Sequence, residues 1–99
     1  MEQKELDIAR FLDADGKIAF LPKKRPLRAA VLRYLAEKFE IGRDYKEREV
    51  NAIVDQWHTF GDLFLLRREM IEAGVMRRER DGSRYWREAE PDMTRDADK

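Results

Sequence analysis

Guanidinium groups suited to phosphate are the chemistry this sequence offers most plainly. The stretch 60–87 carries Arg67, Arg68, Arg77, Arg78, Arg80 and Arg84, and an earlier segment reads Lys23-Lys24-Arg25. Arginine forks pair with phosphate oxygens through two parallel hydrogen bonds, whereas lysine acts on them as a point charge. Arg77, Arg78, Arg80 and Arg84 surround Asp81-Gly82, with Glu79 and Asp81 diluting the charge. On the functional reading this is a basic ribbon lying along a nucleic-acid backbone. On the bland reading it is a soluble sheet edge, because charged side chains discourage edge-to-edge pairing. The 23–25 cluster divides the same way, into a phosphate clamp or a solvated loop.

Other chemistry has less support. His58 is the single histidine. Asp55 and Asp62 lie near it, but one imidazole without a second nitrogen ligand is weak for zinc, and a hydrogen-bonded helix end is the commoner role. Asp13-Ala14-Asp15-Gly16 resembles the start of a calcium loop, yet its twelfth position is Lys24 where a glutamate is needed. A turn is expected there instead. There is no cysteine, which excludes disulfides and thiolate metal sites. No glycine-rich phosphate loop, nucleophile elbow or triad spacing is found, so the expectation is no enzyme, no metal and no cofactor.

The whole-chain totals set the frame for these groups. The 99 residues suffice for one domain, which buries only about 60–70% of its unfolded surface. Charged and apolar residues each make up 42%, and 21 basic residues balance 21 acidic ones. Such a chain folds into a globule and presents no overall cationic coat. The charge is uneven, however: 17–28 holds Lys17, Lys23, Lys24, Arg25 and Arg28 with no acid. A local basic segment can still meet phosphate. No long apolar run and no basic-then-apolar leader is present, so a soluble cytoplasmic protein without membrane contact is expected.

Three helices must position the cations. Pro26 suits the first turn of a helix over 27–39, where Leu27, Ala30, Val31, Tyr34, Leu35 and Phe39 form one stripe. Val50, Ile53, Val54 and Trp57 mark a second helix over 46–57, with Tyr45 ahead of it as a one-residue strand or staple. A third spans 62–73 and stops at Gly74. Helices with one apolar stripe apiece must pack on one another. Weaker signals predict a short helix over 5–12 and a strand over 17–21 ended by Pro22. If Asp81-Gly82 makes a two-residue turn, Glu79 faces Arg84, Arg78 faces Tyr85 and Arg77 faces Trp86. Which ribbon face covers the helices stays open. The expected fold is α+β and mainly α, a winged helix-turn-helix: a three-helix core and a C-terminal β-hairpin wing, with a short N-terminal helix and strand. The expected organisation is a helix and turn over 1–16, the winged domain over 17–88 and an acidic, disordered tail over 89–99.

At Leu21-Pro22-Lys23-Lys24-Arg25, Val31 to Phe39, Tyr45 to Asn51, Trp57-His58, Leu66-Arg67-Arg68-Glu69 and Arg80 to Trp86, the chain resembles the bacterial family called domain of unknown function 2087. The quoted pieces cover about two thirds of the chain in the family's order. The resemblance implies a small winged-helix-like domain, found alone or attached to helix-turn-helix transcriptional regulators and suspected of touching nucleic acid. It implies no catalytic residue.

In a helix-turn-helix, the third helix enters the major groove with its solvent face. At about 100° per residue, Leu63, Leu66, Met70 and Ile71 share one arc that also contains Arg67. Arg67 is therefore expected to be structural, paired with a carboxylate such as Glu49 or Asp62, while Arg68 on the flank meets phosphate. The opposite face, Leu65, Glu69 and Glu72, places two carboxylates where DNA phosphates would lie. An exposed leucine between acids suggests instead a protein contact, to a homodimer mate or a regulator. Tyr85 and Trp86 are expected to be core or cation–π partners of Arg77 and Arg78. The leading expectation is a winged-helix domain that binds nucleic acid, double-stranded DNA above all. Its contacts are expected from Lys23, Lys24, Arg25, Arg68, Arg77, Arg78, Arg80 and Arg84. The alternative is an interaction module of the same fold using Leu65, Glu69 and Glu72.

Overall fold

The computed structural model of the chain describes residues 7–87. The acidic tail expected over 89–99 and the start of the helix expected over 5–12 lie outside them. Within them the order is a 3₁₀ turn (Ala9–Phe11), α1 (Arg25–Ala36), β1 (Asp44–Tyr45), α2 (Glu47–Gln56), α3 (Leu63–Glu72), β2 (Met76–Arg78) and β3 (Tyr85–Arg87). The architecture is α+β and mainly helical.

Each helix forms for a local reason. Pro26 sits in the first turn of α1, where its missing N–H has no carbonyl to meet. After Ala36 the chain tightens: Lys38 N–H donates to Leu35 O at 3.0 Å and Phe39 N–H to Ala36 O at 3.0 Å. Phe39 is still delivered to the core, though the helix expected to reach it stops three residues earlier. At the start of α2, the Glu49 carboxylate accepts from Lys46 N–H at 2.7 Å. At α3, Asp62 Oδ1 accepts from Leu65 N–H at 3.2 Å, satisfying one of the donors a helix start leaves unmet. Gly74, at φ 79°, ends the helix.

The stripes meet as expected. Val31 and Leu35 of α1, Val50 and Val54 of α2, and Leu66 and Met70 of α3 are fully buried in one cluster with Ile18, Phe39 and Met76. The sheet order is β1-β3-β2, all antiparallel. Tyr45 thus belongs to a third strand, placed between α1 and α2 in sequence and against β3 in space. Met76 and Tyr85 are buried, so their face of the ribbon covers the helices.

Two local expectations are corrected. The helix over 5–12 shrinks to the turn Ala9–Phe11 among its described residues. The strand over 17–21 reduces to Ile18, which bridges Leu12 on one side and His58 on the other. Its partners among the described residues are a short N-terminal return and the link between α2 and α3, and neither is long enough to extend a ladder. The 13–16 segment is a turn, with Asp13 Oδ1 accepting from Asp15 N–H at 2.8 Å and Lys17 N–H at 2.9 Å.

The wing tip also differs in detail. The register is as expected, with Arg78 opposite Tyr85 and Arg77 opposite Trp86. Yet Gly82 N–H donates to Glu79 O at 2.9 Å, which centres the tight turn on Arg80-Asp81. A two-residue hairpin turn at 81–82 would require positive φ at Asp81. Gly82 has φ 77°, whereas no non-glycine residue is positive. The four-residue loop 80–83 closes the same strand pairing without that strain.

Candidate nucleic-acid interface

The solvent face of α3 is rotated from the one expected. Leu66 and Met70 point into the core, which leaves Phe64, Arg68 and Glu72 outermost. Phe64 is 62% exposed, whereas Leu65 is only half-buried. Glu69 is engaged by Arg28 of α1, whose Nε and Nη2 meet its two carboxylate oxygens at 3.2 and 3.1 Å. Arg28 Nη1 also donates to Pro22 O at 3.1 Å. The expected surface of Leu65 between two acids therefore does not form: the leucine is partly covered and one acid is paired.

Between α3 and the wing runs an open groove of about 560 Å³. Phe64, Arg68, Ile71 and Glu72 form the helix side, and Arg78, Arg80 and Asp81 the wing side. Tyr85, Arg67 and Glu47 complete its lining. The tip lies close to α2: a Cβ on Gly82 would stand 3.5 Å from Glu47 Oε1. Arg78 Nη1 donates to the carbonyls of Glu79 and Arg80, both at 3.2 Å, so its guanidinium braces the turn that carries Arg80.

Arg67 is structural, as expected, but with other partners. Its Nη1 donates to Asn51 Oδ1 at 2.6 Å and pairs with Glu47 Oε2 at 3.2 Å. Its guanidinium carbon lies 5.2 Å from the Phe64 ring centre and 5.9 Å from that of Tyr85. Glu49 and Asp62, the partners expected, are used as the helix-start acceptors described above.

The remaining cations divide. Lys23, Lys24 and Arg25 are exposed on the segment entering α1. The Arg28–Glu69 and Arg28–Pro22 contacts tie that segment to α3. Arg84 leaves the group, since its guanidinium pairs with Glu79 and Asp44 and stacks 4.3 Å over the Trp86 ring. Sequence reasoning did not place Arg84 on that ring. Glu79 is the main cause that holds Arg84 protonated above its ordinary range, with Asp44 adding to it. Arg77 is exposed on the ribbon face that carries Trp86.

His58 is the hydrogen-bonded helix end expected. Nδ1 lies 2.7 Å from Val54 O and Nε2 accepts from Asp62 N–H at 3.0 Å. Nε2 can accept only if the proton sits on Nδ1, so these bonds fix the tautomer and occupy both nitrogens.

Hydrogen bonds from Ser83, side chain first and backbone second, hold the Asp81 carboxyl below its ordinary 3.8. A carboxyl lowered on folding adds stability that is present above its ordinary range and is lost as pH falls through the folded value. NMR titration should show Asp81 protonating at lower pH in the wild type than in Ser83→Ala. Identical curves would dismiss the Ser83 side chain as the main cause.

Sequence reasoning does not single out Phe64. The available signal was an aromatic lying off the Leu66–Met70 arc, which periodicity reports only once the arc is centred correctly.

Helix, strand, two helices and a two-stranded ribbon, with the first strand paired to the last, make a mainly helical α+β domain whose architecture is compatible with a winged helix. Residues 17–87 match the family described as uncharacterized protein conserved in bacteria, domain of unknown function 2087, and the chain belongs to that family. The match takes in every helix and strand of the domain. Neither the curated proteins nor the solved structures contain a match to the chain. None of the described helices is long and apolar enough to cross a membrane.

Proposed function

We propose that this winged-helix domain binds nucleic acid, double-stranded DNA above all, as a small cytoplasmic transcriptional regulator and not as an enzyme. The observation that carries the reading is the meeting of Arg68, Arg78 and Arg80 along one groove beside the outer face of α3. A duplex seated on α3 would meet the wing guanidiniums, with Lys23, Lys24 and Arg25 contributing from the exposed segment that Arg28 ties to α3. Such contacts fix register on the backbone without reading sequence. Glu69 is no obstacle, because Arg28 already pairs with it. Glu72 and Asp81 moderate the field, in keeping with a neutral chain.

Fluorescence anisotropy with a labelled duplex tests this across a salt series. Binding should fall linearly on a log–log plot, and Arg68→Ala and Arg80→Ala should each flatten the slope by about 0.9. Arg84→Ala should leave it unchanged, since that guanidinium is committed to Glu79 and Asp44. Affinity indifferent to salt, or equal slopes for all the variants, would refute the proposal. The alternative of a protein contact through Leu65, Glu69 and Glu72 has less support, given the half-covered leucine and the paired glutamate.

A further inference from the structure

We infer that Phe64 and Arg68 are a base-reading pair, with the phenyl ring taking the 5-methyl group of a thymine and the guanidinium an adjoining guanine edge. The inference rests on the DNA-binding reading above and deepens it: the ligand becomes thymine-containing DNA, distinguishable from the same duplex with uracil.

Position is the first ground. Asp62 caps α3, so Phe64 is the second residue of that helix and Arg68 follows one turn later. The opening turns of a recognition helix are those that reach base edges in the major groove. Residues four apart rise about 6 Å along the axis, and stacked bases are about 3.4 Å apart. The two side chains therefore address neighbouring steps, not distant ones.

Preorganisation is the second. A lone exposed apolar residue is ordinary on a protein surface. Phe64 has a favoured pose, however, because the Arg67 guanidinium lies 5.2 Å from its ring centre. Arg67 is itself tied to Asn51 on α2 and to Glu47 at its start. The ring is thus held 62% exposed by a buttress reaching back to α2. An apolar face biased toward one pose suits recognition of a methyl group, since less mobility is left to lose on binding.

Charge is the third. The ring borders a groove in which Arg68, Arg78 and Arg80 outnumber Glu72 and Asp81, Glu47 being paired with Arg67, so a polyanion is the occupant that suits both surfaces. In the major groove the 5-methyl of thymine is the apolar feature, and guanine offers two acceptors to one arginine fork.

The experiment uses the full chain and duplexes enriched by it from a random-sequence pool, resynthesised with deoxyuridine in place of thymidine. Wild type should prefer the thymine form about fourfold, the factor for burying one methyl group. Phe64→Ala should bind both forms equally with its salt slope unchanged. Arg80→Ala should lower the slope and keep the preference. Equal binding of both forms by wild type overturns this inference and leaves the DNA-binding reading intact, whereas salt-indifferent or absent binding overturns both. Sedimentation of free protein supplies a separate check. A dimer that Phe64→Ala converts to monomer would assign the ring to a second copy of the chain and overturn the inference.

Discussion

His58→Ala should lower the unfolding free energy by about 3 kcal/mol, visible as a lower urea midpoint with an unchanged slope. The imidazole is 5% exposed and stands where α2 ends and α3 begins. It occupies Val54 O through Nδ1 and Asp62 N–H through Nε2, and its ring meets Phe60 edge to face at 4.8 Å. Alanine removes both partners at once. A buried polar group left unmet costs about 1–3 kcal/mol, and the vacated space adds to that. Against a total stability of about 5–15 kcal/mol this is a large fraction. The damage should concentrate at the link, because Ile18 is bridged to His58 and donates its N–H to Trp57 O at 2.8 Å. A loss below about 1 kcal/mol would mean that water replaces the ring at little cost.

Glu69→Ala should cost about 2 kcal/mol. Its side chain is 17% exposed and that of Arg28 is 28% exposed, so the pair lies between a buried bridge and a surface one. Removing one partner of a fully buried pair costs about 3–5 kcal/mol, and partial solvation reduces that. The substitution leaves a half-buried guanidinium with Pro22 O as its remaining hydrogen-bond partner described above. A double-mutant cycle with Arg28→Ala isolates the coupling. The pair joins α1 to α3, so a measured coupling near zero would mean that apolar packing alone fixes the angle between them.

What could be read without coordinates follows from which forces are local. The ends of α2 and α3 fall within a residue or so of expectation, because stripes, Asp62 and Gly74 are chain-local signals. Wing register was legible for the same reason, although the tight turn moved to Arg80-Asp81 once the backbone angle of Asp81 was fixed. Ile18 could not be read correctly, because whether a residue extends into a strand depends on the length of its partner. The partners of Arg67 were out of reach as well: Glu47 and Asn51 face it only after α2 and α3 cross. At the candidate site, the basic residues were visible as types, but their division was not. Arg84 turns to Glu79 and Asp44 because the third strand brings Asp44 alongside Trp86. The outer face of α3 needed the burial of Leu66 and Met70 to centre it, which is why Phe64 emerged only from the structure.

The pairing of β1 with β3 bears on how the domain would meet any partner. Tyr45 on β1 accepts Glu40 N–H at 2.7 Å through its hydroxyl, and Arg87 on β3 donates to Phe39 O at 3.0 Å. The root of the ribbon is thus moored twice to the corner that follows α1, and Gly82 at the far end approaches Glu47. Anchored at its root, the ribbon has less freedom to swing as a hinged flap. The span between Arg80 and Arg68 is then set largely by the fold, and under the proposed function it would act as a gauge for the width of a bound duplex.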